Sequence, residues 1–205
     1  MLTIFYQLEL ARHGQAEIEM AKRNPYCHVI ATTIDEKGLE FTKNVIKSMK
    51  LEDRIEVKIE DISKKMPYVN NYFDFVYARL VLHYLNDNQL KYALSEIHRV
   101  LKPNGKFFIV VRSLDEWEVK QEGTTFDEKT GFTKYPDYTT INTENIKYLE
   151  RRLHSKESIK NFLNNANFKV EYIEEYEEYL YRDYKRTQKN PRPNSLIEVY
   201  SSKSI

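Results

Sequence analysis

Phe73-Asp74-Phe75-Val76-Tyr77, read with Leu94, Ile97, His98 and Leu101 and with Lys106 to Val111 beyond them, decides the fold. The first run is short, aromatic and β-branched, which predicts a central parallel strand buried on both faces. Asn86-Asp87-Asn88 opens a helix from Gln89 to Leu101, and Lys102-Pro103-Asn104-Gly105 stops it with a Pro and a Gly. Lys106 to Val111 is the next buried strand. Strand, helix and strand within about forty residues form a right-handed βαβ unit.

Working outward, Thr3 to Leu10 reads as the first strand, with Glu9 near its carboxyl end, and Ala16 to Arg23 as a helix ending at Asn24-Pro25. His28 to Ile34 is the second strand. Asp35 N-caps the helix that runs through Leu39, Val45 and Met49, and Ile55 to Ile59 is the third strand. From Arg112 to His154 the periodicity breaks down among threonines and the aromatics Trp117, Phe126, Phe132, Tyr135, Tyr138 and Tyr148. Such a connection serves as a lid or as a dimer contact, and the residues leave both open. Ser155 opens a helix to Asn165, Phe168 to Ile173 is a sixth strand, and Ser195 to Ser201 is a seventh, antiparallel one. Between these strands Glu174 to Glu178 is acidic, and Arg182 to Arg192 carries five cations with Tyr181 and Tyr184 interleaved. That loop reads as a solvated hairpin, or as a contact for RNA.

With 205 residues, the expectation is one domain over 1–205. The 32 basic and 31 acidic residues leave no net charge that would direct the chain to nucleic acid. The single cysteine, Cys27, excludes an internal disulfide framework and fits a reducing cytoplasm. No apolar run reaches the roughly 18 residues a spanning helix needs, and Met1 to Leu10 lacks the pattern of a signal peptide. One cysteine and five scattered histidines show no metal-ligand spacing, so no metal is expected.

Read as words, Asp74-Phe75-Val76-Tyr77-Ala78-Arg79-Leu80-Val81-Leu82-His83-Tyr84-Leu85 and then Glu96-Ile97-His98-Arg99-Val100-Leu101-Lys102-Pro103-Asn104-Gly105-Lys106 resembles the core of class I S-adenosylmethionine-dependent methyltransferases of the type 11/25-like kind. The resemblance implies an α/β, Rossmann-like, seven-stranded, mostly parallel sheet with helices on both faces and its last strand antiparallel. It implies S-adenosylmethionine as cofactor, and residues 112–154 as a substrate cover. Glu9-Leu10-Ala11-Arg12-His13-Gly14-Gln15 is similar to the family's glycine turn with one residue lost, which makes Glu9, Ala11 and Gly14 cofactor residues. The ribose acid aligns with Thr33, a hydroxyl in place of a carboxylate, and Asp35 is either its substitute or only a helix cap. Asp61 and the backbone of Ile62 stand where the family meets adenine. Ala78 and Arg79 lie at the carboxyl end of the central strand. His83 is the candidate base, or else a histidine packed at a helix start.

Three readings follow from these residues. The first is a methyltransferase for a small-molecule acceptor, since no Asn-Pro-Pro-Tyr motif for base amines is present. The second is a non-catalytic partner or binding subunit that has lost the cofactor, because each lost charge-assisted hydrogen bond costs about 1.5–3 kcal/mol. The third is an RNA methyltransferase acting through Arg182 to Arg192. A nicotinamide dehydrogenase is disfavoured by the missing Gly-x-Gly-x-x-Gly.

Overall fold

The computed structural model describes residues 3–8, 14–137, 147–181, 187, 189–190 and 192–204. Its main sheet is built from β1 (Thr3–Leu8), β2 (Cys27–Thr33), β3 (Ile55–Ile59), β4 (Phe73–Arg79), β5 (Leu101–Arg112), β9 (Phe168–Glu178) and β10 (Asn194–Lys203). The strand order is β3-β2-β1-β4-β5-β10-β9. The first five strands pair in parallel, and β10 runs antiparallel to both β5 and β9. The expected class, a seven-stranded and mostly parallel sheet whose last strand is antiparallel, is the one observed.

Helices lie on both faces because adjacent residues of one strand feed different cores. On one face Val29 of β2 packs with Ile18 and Ala21 of α1 (Gln15–Arg23), with Leu39 and Ile46 of α2 (Glu36–Ser48), and with Ile55 and Val57 of β3. On the other, its neighbour Ile30 joins Tyr6, Val76 and Phe107. These pack against Leu90, Leu94 and Ile97 of α3 (Asp87–Val100) and Ile159 and Leu163 of α4 (Lys156–Asn165). Asn86 and Gln89 close a capping box on α3, and Ser155 and Ser158 close one on α4.

Two strand boundaries differ from expectation. The helix stop at Pro103 and Gly105 lies inside a bulge of β5, since Phe73 pairs with Leu101 while Phe75 pairs with Lys106. A Cβ at Gly105 would stand 2.8 Å from the Lys102 carbonyl, so the bulge admits only glycine there. The sixth strand runs to Glu178 and not to Ile173, because Glu174–Glu178 pairs residue by residue with Asn194–Glu198. The acidic run remains a strand because this edge sends its charges outward or to partners. Arg79 takes Glu178 at 2.7 Å, and the hydroxyls of Ser113 and Ser195 donate to Glu175.

Residues 112–154 hold a second sheet that periodicity did not predict. It comprises β6 (Thr125–Asp127), β7 (Phe132–Pro136) and β8 (Tyr148–Arg151), antiparallel in that order. The sheet is moored to the turn that follows β4. Arg152 N donates to the His83 carbonyl at 2.8 Å, Asp87 N to Thr130 O at 3.2 Å, and the Arg152 guanidinium pairs with Asp87. This places it over the carboxyl ends of β4 and β5.

Candidate active site

Open parallel sheets bind ligands outside the carboxyl ends of their strands, where a helix on one face gives way to one on the other. In this sheet that edge runs from Glu60 after β3, past Thr33 after β2 and Gly14 after β1, to Arg79 and Arg112 at the ends of β4 and β5. Of the expected turn, Glu9 and Ala11 lie outside the described residues. Gly14 adopts φ 75° as N-cap of α1, with no side-chain cap on the helix. A Cβ there would stand 2.8 Å from Thr42 Cγ2, so conformation and space both demand glycine. Gly14 supplies no side chain to cap the first turn of α1.

At β2 the hydroxyl of Thr33 is buried and accepts from Asp35 N at 3.0 Å. Asp35 caps α2 by accepting from Lys37 N at 3.0 Å. Both side chains therefore serve the local backbone, and the carboxylate that follows β2 doubles as a helix cap. After β3, Asp61 is exposed and accepts from Ser63 N at 2.9 Å, and the Ser63 hydroxyl followed by this amide holds its carboxyl below the usual range. The Ile62 side chain is buried in the core. Ile34 is 69% exposed beside Thr33, an apolar surface next to the acid.

Glu60 was not singled out by its sequence. Its carboxylate accepts from Tyr6 Oη at 2.7 Å and from Tyr68 Oη, and burial followed by the Glu60 charge raises the Tyr6 phenol above its ordinary value. The signal was adjacency to Asp61, and an acid beside an acid reads as solvation. Among the described residues no group of three or more His, Cys, Asp and Glu is arranged to hold a metal.

At β4 the expected residues separate. Ala78 lies in the core under α3 and shows no side chain to the edge. Arg79 turns to β9, donating to Tyr176 Oη at 3.2 Å and Glu178 at 2.7 Å. Leu80 then adopts φ 55°, a left-handed conformation that costs a bulky residue about 1 kcal/mol or more and that sits where the chain leaves the sheet. It delivers the 3₁₀ turn Leu82–Tyr84, in which His83 is 2% exposed with no partner on either ring nitrogen among the described residues. Burial, then the charge of Arg112, pushes its pKa well below the ordinary value. His83 is thus neutral at pH 7 and a weaker base than a free imidazole.

Around His83 stands a group of buried charges that sequence reasoning missed. Arg112, 8% exposed at the end of β5, donates from Nη1 to Glu116 at 3.2 Å and to Glu118 at 3.3 Å, and its Nε has no partner among the described residues. Glu116 also accepts from Asn194 at 3.0 Å, and burial raises its pKa. Arg151 of β8 donates to Tyr135 Oη at 2.8 Å. His154 is buried, which lowers its pKa to about 3. Nothing in an irregular stretch signals which of its many charges fold inward.

The residues present fit an adenosyl sulfonium on its adenosine side. They supply a left-handed glycine at the head of α1, an exposed Ile34 and the exposed carboxylate of Asp61. They lack a ribose acid on β2.

A methyltransferase-domain family profile matches residues 10–109. The chain is 28% identical over 163 residues to a demethylmenaquinone methyltransferase of Lactobacillus johnsonii, covering 76% of this chain and 64% of that protein. It is 33% identical over 107 residues to the demethylmenaquinone methyltransferase of Leptospira interrogans, covering 52% of this chain and 41% of that protein. The chain thus spans less than two thirds of these curated relatives. Among solved structures, a SAM-dependent methyltransferase of Methanosarcina mazei superposes with a TM-score of 0.70 at 16% identity, over 99% of this chain and 92% of that one. The cyclase SpnF superposes with a TM-score of 0.70 at 14% identity, over 100% of this chain and 75% of that one. The strand order, the Gly14 turn and the profile across β2 to β5 agree: residues 10–109 match the methyltransferase-domain family, and the chain has the class I fold seen in S-adenosylmethionine-dependent methyltransferases.

Proposed function

We propose that the chain is an S-adenosylmethionine-dependent methyltransferase for a small-molecule acceptor. The observation that carries this reading is the Gly14 turn heading α1 on the carboxyl edge of the family's sheet. Gly14 and the first amides of α1, Ile34 and Asp61 would hold the cofactor, which when bound supplies an activated methyl group. The chain's own part is to hold the acceptor against it and exclude water. The three-stranded sheet, moored over β4 and β5, supplies the cover. His83 is neutral at pH 7 and keeps a lone pair on one ring nitrogen, so it can take the proton that an acidic O–H acceptor releases. The relatives' names make an aromatic or quinol-type acceptor one class to screen. Cys27 is free and buried, which fits a cytoplasmic setting.

Calorimetric titration with S-adenosylmethionine and S-adenosylhomocysteine tests the proposal. Micromolar binding, weakened about tenfold by Asp61→Ala, is expected for a lost charge-assisted bond. No heat at millimolar ligand sinks it.

The second reading is a partner subunit without cofactor, and it has its own observation. Thr33 and Asp35 are committed to local bonds, while Phe126 and Tyr148 of the small sheet stay 63% and 45% exposed, as a homodimer or partner contact requires. The RNA reading rests on Arg182 to Arg192, most of which lies outside the described residues. Within it Lys189 Nζ stands 3.5 Å over the Tyr179 ring.

A further inference from the structure

Arg151 is a guanidinium in need of an anion. It projects from β8 into the space beside the turn after β4, and among the described residues no carboxylate lies within ion-pair distance of it. Its contacts are phenols: Tyr135 Oη at 2.8 Å, and Tyr84, whose ring centroid lies 5.5 Å from its Cζ. Its Nε is buried with no partner. The other cations of the region differ, because Arg152 has Asp87 and Arg112 has Glu116 and Glu118. A half-buried cation whose Nε is wholly buried is costly to leave without a counter-charge, and the cost is relieved when an anion arrives.

The second observation is independent of Arg151. His83, 2% exposed, leaves both ring nitrogens without partners, in a ring that stands 4.2 Å from that of Tyr84. Buried polar atoms are normally satisfied, and an unsatisfied pair in a described region calls for a ligand group. Tyr84 is 56% exposed, so it forms a rim open to solvent, with Arg151 and His83 behind it. Burial, followed by Arg112, Arg151 and His154, keeps His83 neutral, so it adds a hydrogen-bonding atom without adding charge.

We propose that Arg151, Tyr84, Tyr135 and His83 bind the carboxylate of a small acidic acceptor, with Arg151 as the charge partner and the tyrosine rings as its aromatic walls. Arginine suits this role because its planar fork meets two carboxylate oxygens at once. The inference rests on the methyltransferase reading for the word acceptor, and on the geometry alone for the carboxylate. It sets acids bearing a methylatable oxygen or nitrogen ahead of neutral quinols in an acceptor screen.

The test is calorimetric titration of the full chain, with and without saturating S-adenosylhomocysteine. The probes are acetate, benzoate and 4-hydroxybenzoate, against acetamide, benzamide and 4-hydroxybenzamide. At least one acid is expected to bind about tenfold or more tightly than its amide, the worth of one charge-assisted pair. Arg151→Gln should erase that preference. So should Tyr84→Glu, which brings an internal carboxylate to Arg151 from an exposed position and therefore serves even where Arg151→Gln fails to fold. Equal binding of every acid and its amide overturns the proposal, as does a preference that survives both substitutions. Homocysteine-cofactor binding without acid preference counts against this site alone. Acid preference without cofactor binding supports the site and counts against the methyltransferase reading.

Discussion

Around β2 and β3 most edge polar groups find a partner within a few residues, Asp35 with Lys37, Thr33 with Asp35 and Asp61 with Ser63, while Glu60 reaches back to Tyr6. Around β4 and β5 the partners come from far along the chain or are missing. Arg79 reaches Glu178, Asn194 reaches Glu116, and the His83 ring reaches nothing among the described residues. The first half is held by turns, which survive the loss of any one bond. The second is held by buried charge, which does not. The groups proposed for the cofactor, Gly14, Ile34 and Asp61, lie on the β1–β3 side, while the His83 ring without partners among the described residues lies on the β4–β5 side.

The sharpest way to break this contrast is Arg112→Met. It strands Glu116 and Glu118 in a buried place, and a loss of about 3–5 kcal/mol in urea unfolding is expected. A loss under 1 kcal/mol would show that the buried charges are not coupled. The next test is acid. His83 and His154 have folded pKa values below their unfolded value of 6.5, and His154 is near 3. Their unfolded forms therefore take up protons first as the pH falls below 6.5. Stability should decline by about 1.4 kcal/mol per pH unit for each histidine once the pH is well below that value. His154→Gln should remove its share of the slope. Glu116 acts in the opposite sense. Its raised pKa lets the folded chain hold a proton that the unfolded chain has released, so it costs stability as the pH rises through that window, and Glu116→Gln should remove that loss.

Smaller effects are expected on the β2–β3 side. Asp35→Ala removes a helix cap and should cost about 1 kcal/mol in thermal or urea unfolding. Thr33→Val removes an acceptor for one amide and should cost about 0.5–1.5 kcal/mol, with cofactor affinity unchanged. A tenfold loss of S-adenosylhomocysteine affinity in Thr33→Val would mean that this hydroxyl serves the ligand as well as Asp35, and the contrast between the halves would blur.

Much of the fold was legible because periodicity and punctuation are local. Phe73 to Tyr77, the Asn86 start and the Ser155 cap each report their own dihedrals and burial. Glu174 to Glu178 misled because charge was taken for a loop, whereas an edge strand tolerates charge when its partners lie across the sheet. The cap role of Asp35 was legible, since a cap is read from its neighbours. The quartet of Arg112, Glu116, Arg151 and His154 was not. Its members are scattered over more than forty residues of aperiodic sequence, and opposite charges in a chain carry no mark of which pair is buried.

By itself the sequence determined the order of the main-sheet strands and their helices, the helix starts and the glycine at position 14, because these depend on residues within a turn or two of one another. Only the tertiary structure decided that Arg79 serves β9, that the small sheet sits over the ends of β4 and β5, and that Arg151 and His83 meet there with valences to spare. Burial of a charge is settled by what packs around it, and the groups that pack around these come from distant stretches of the chain.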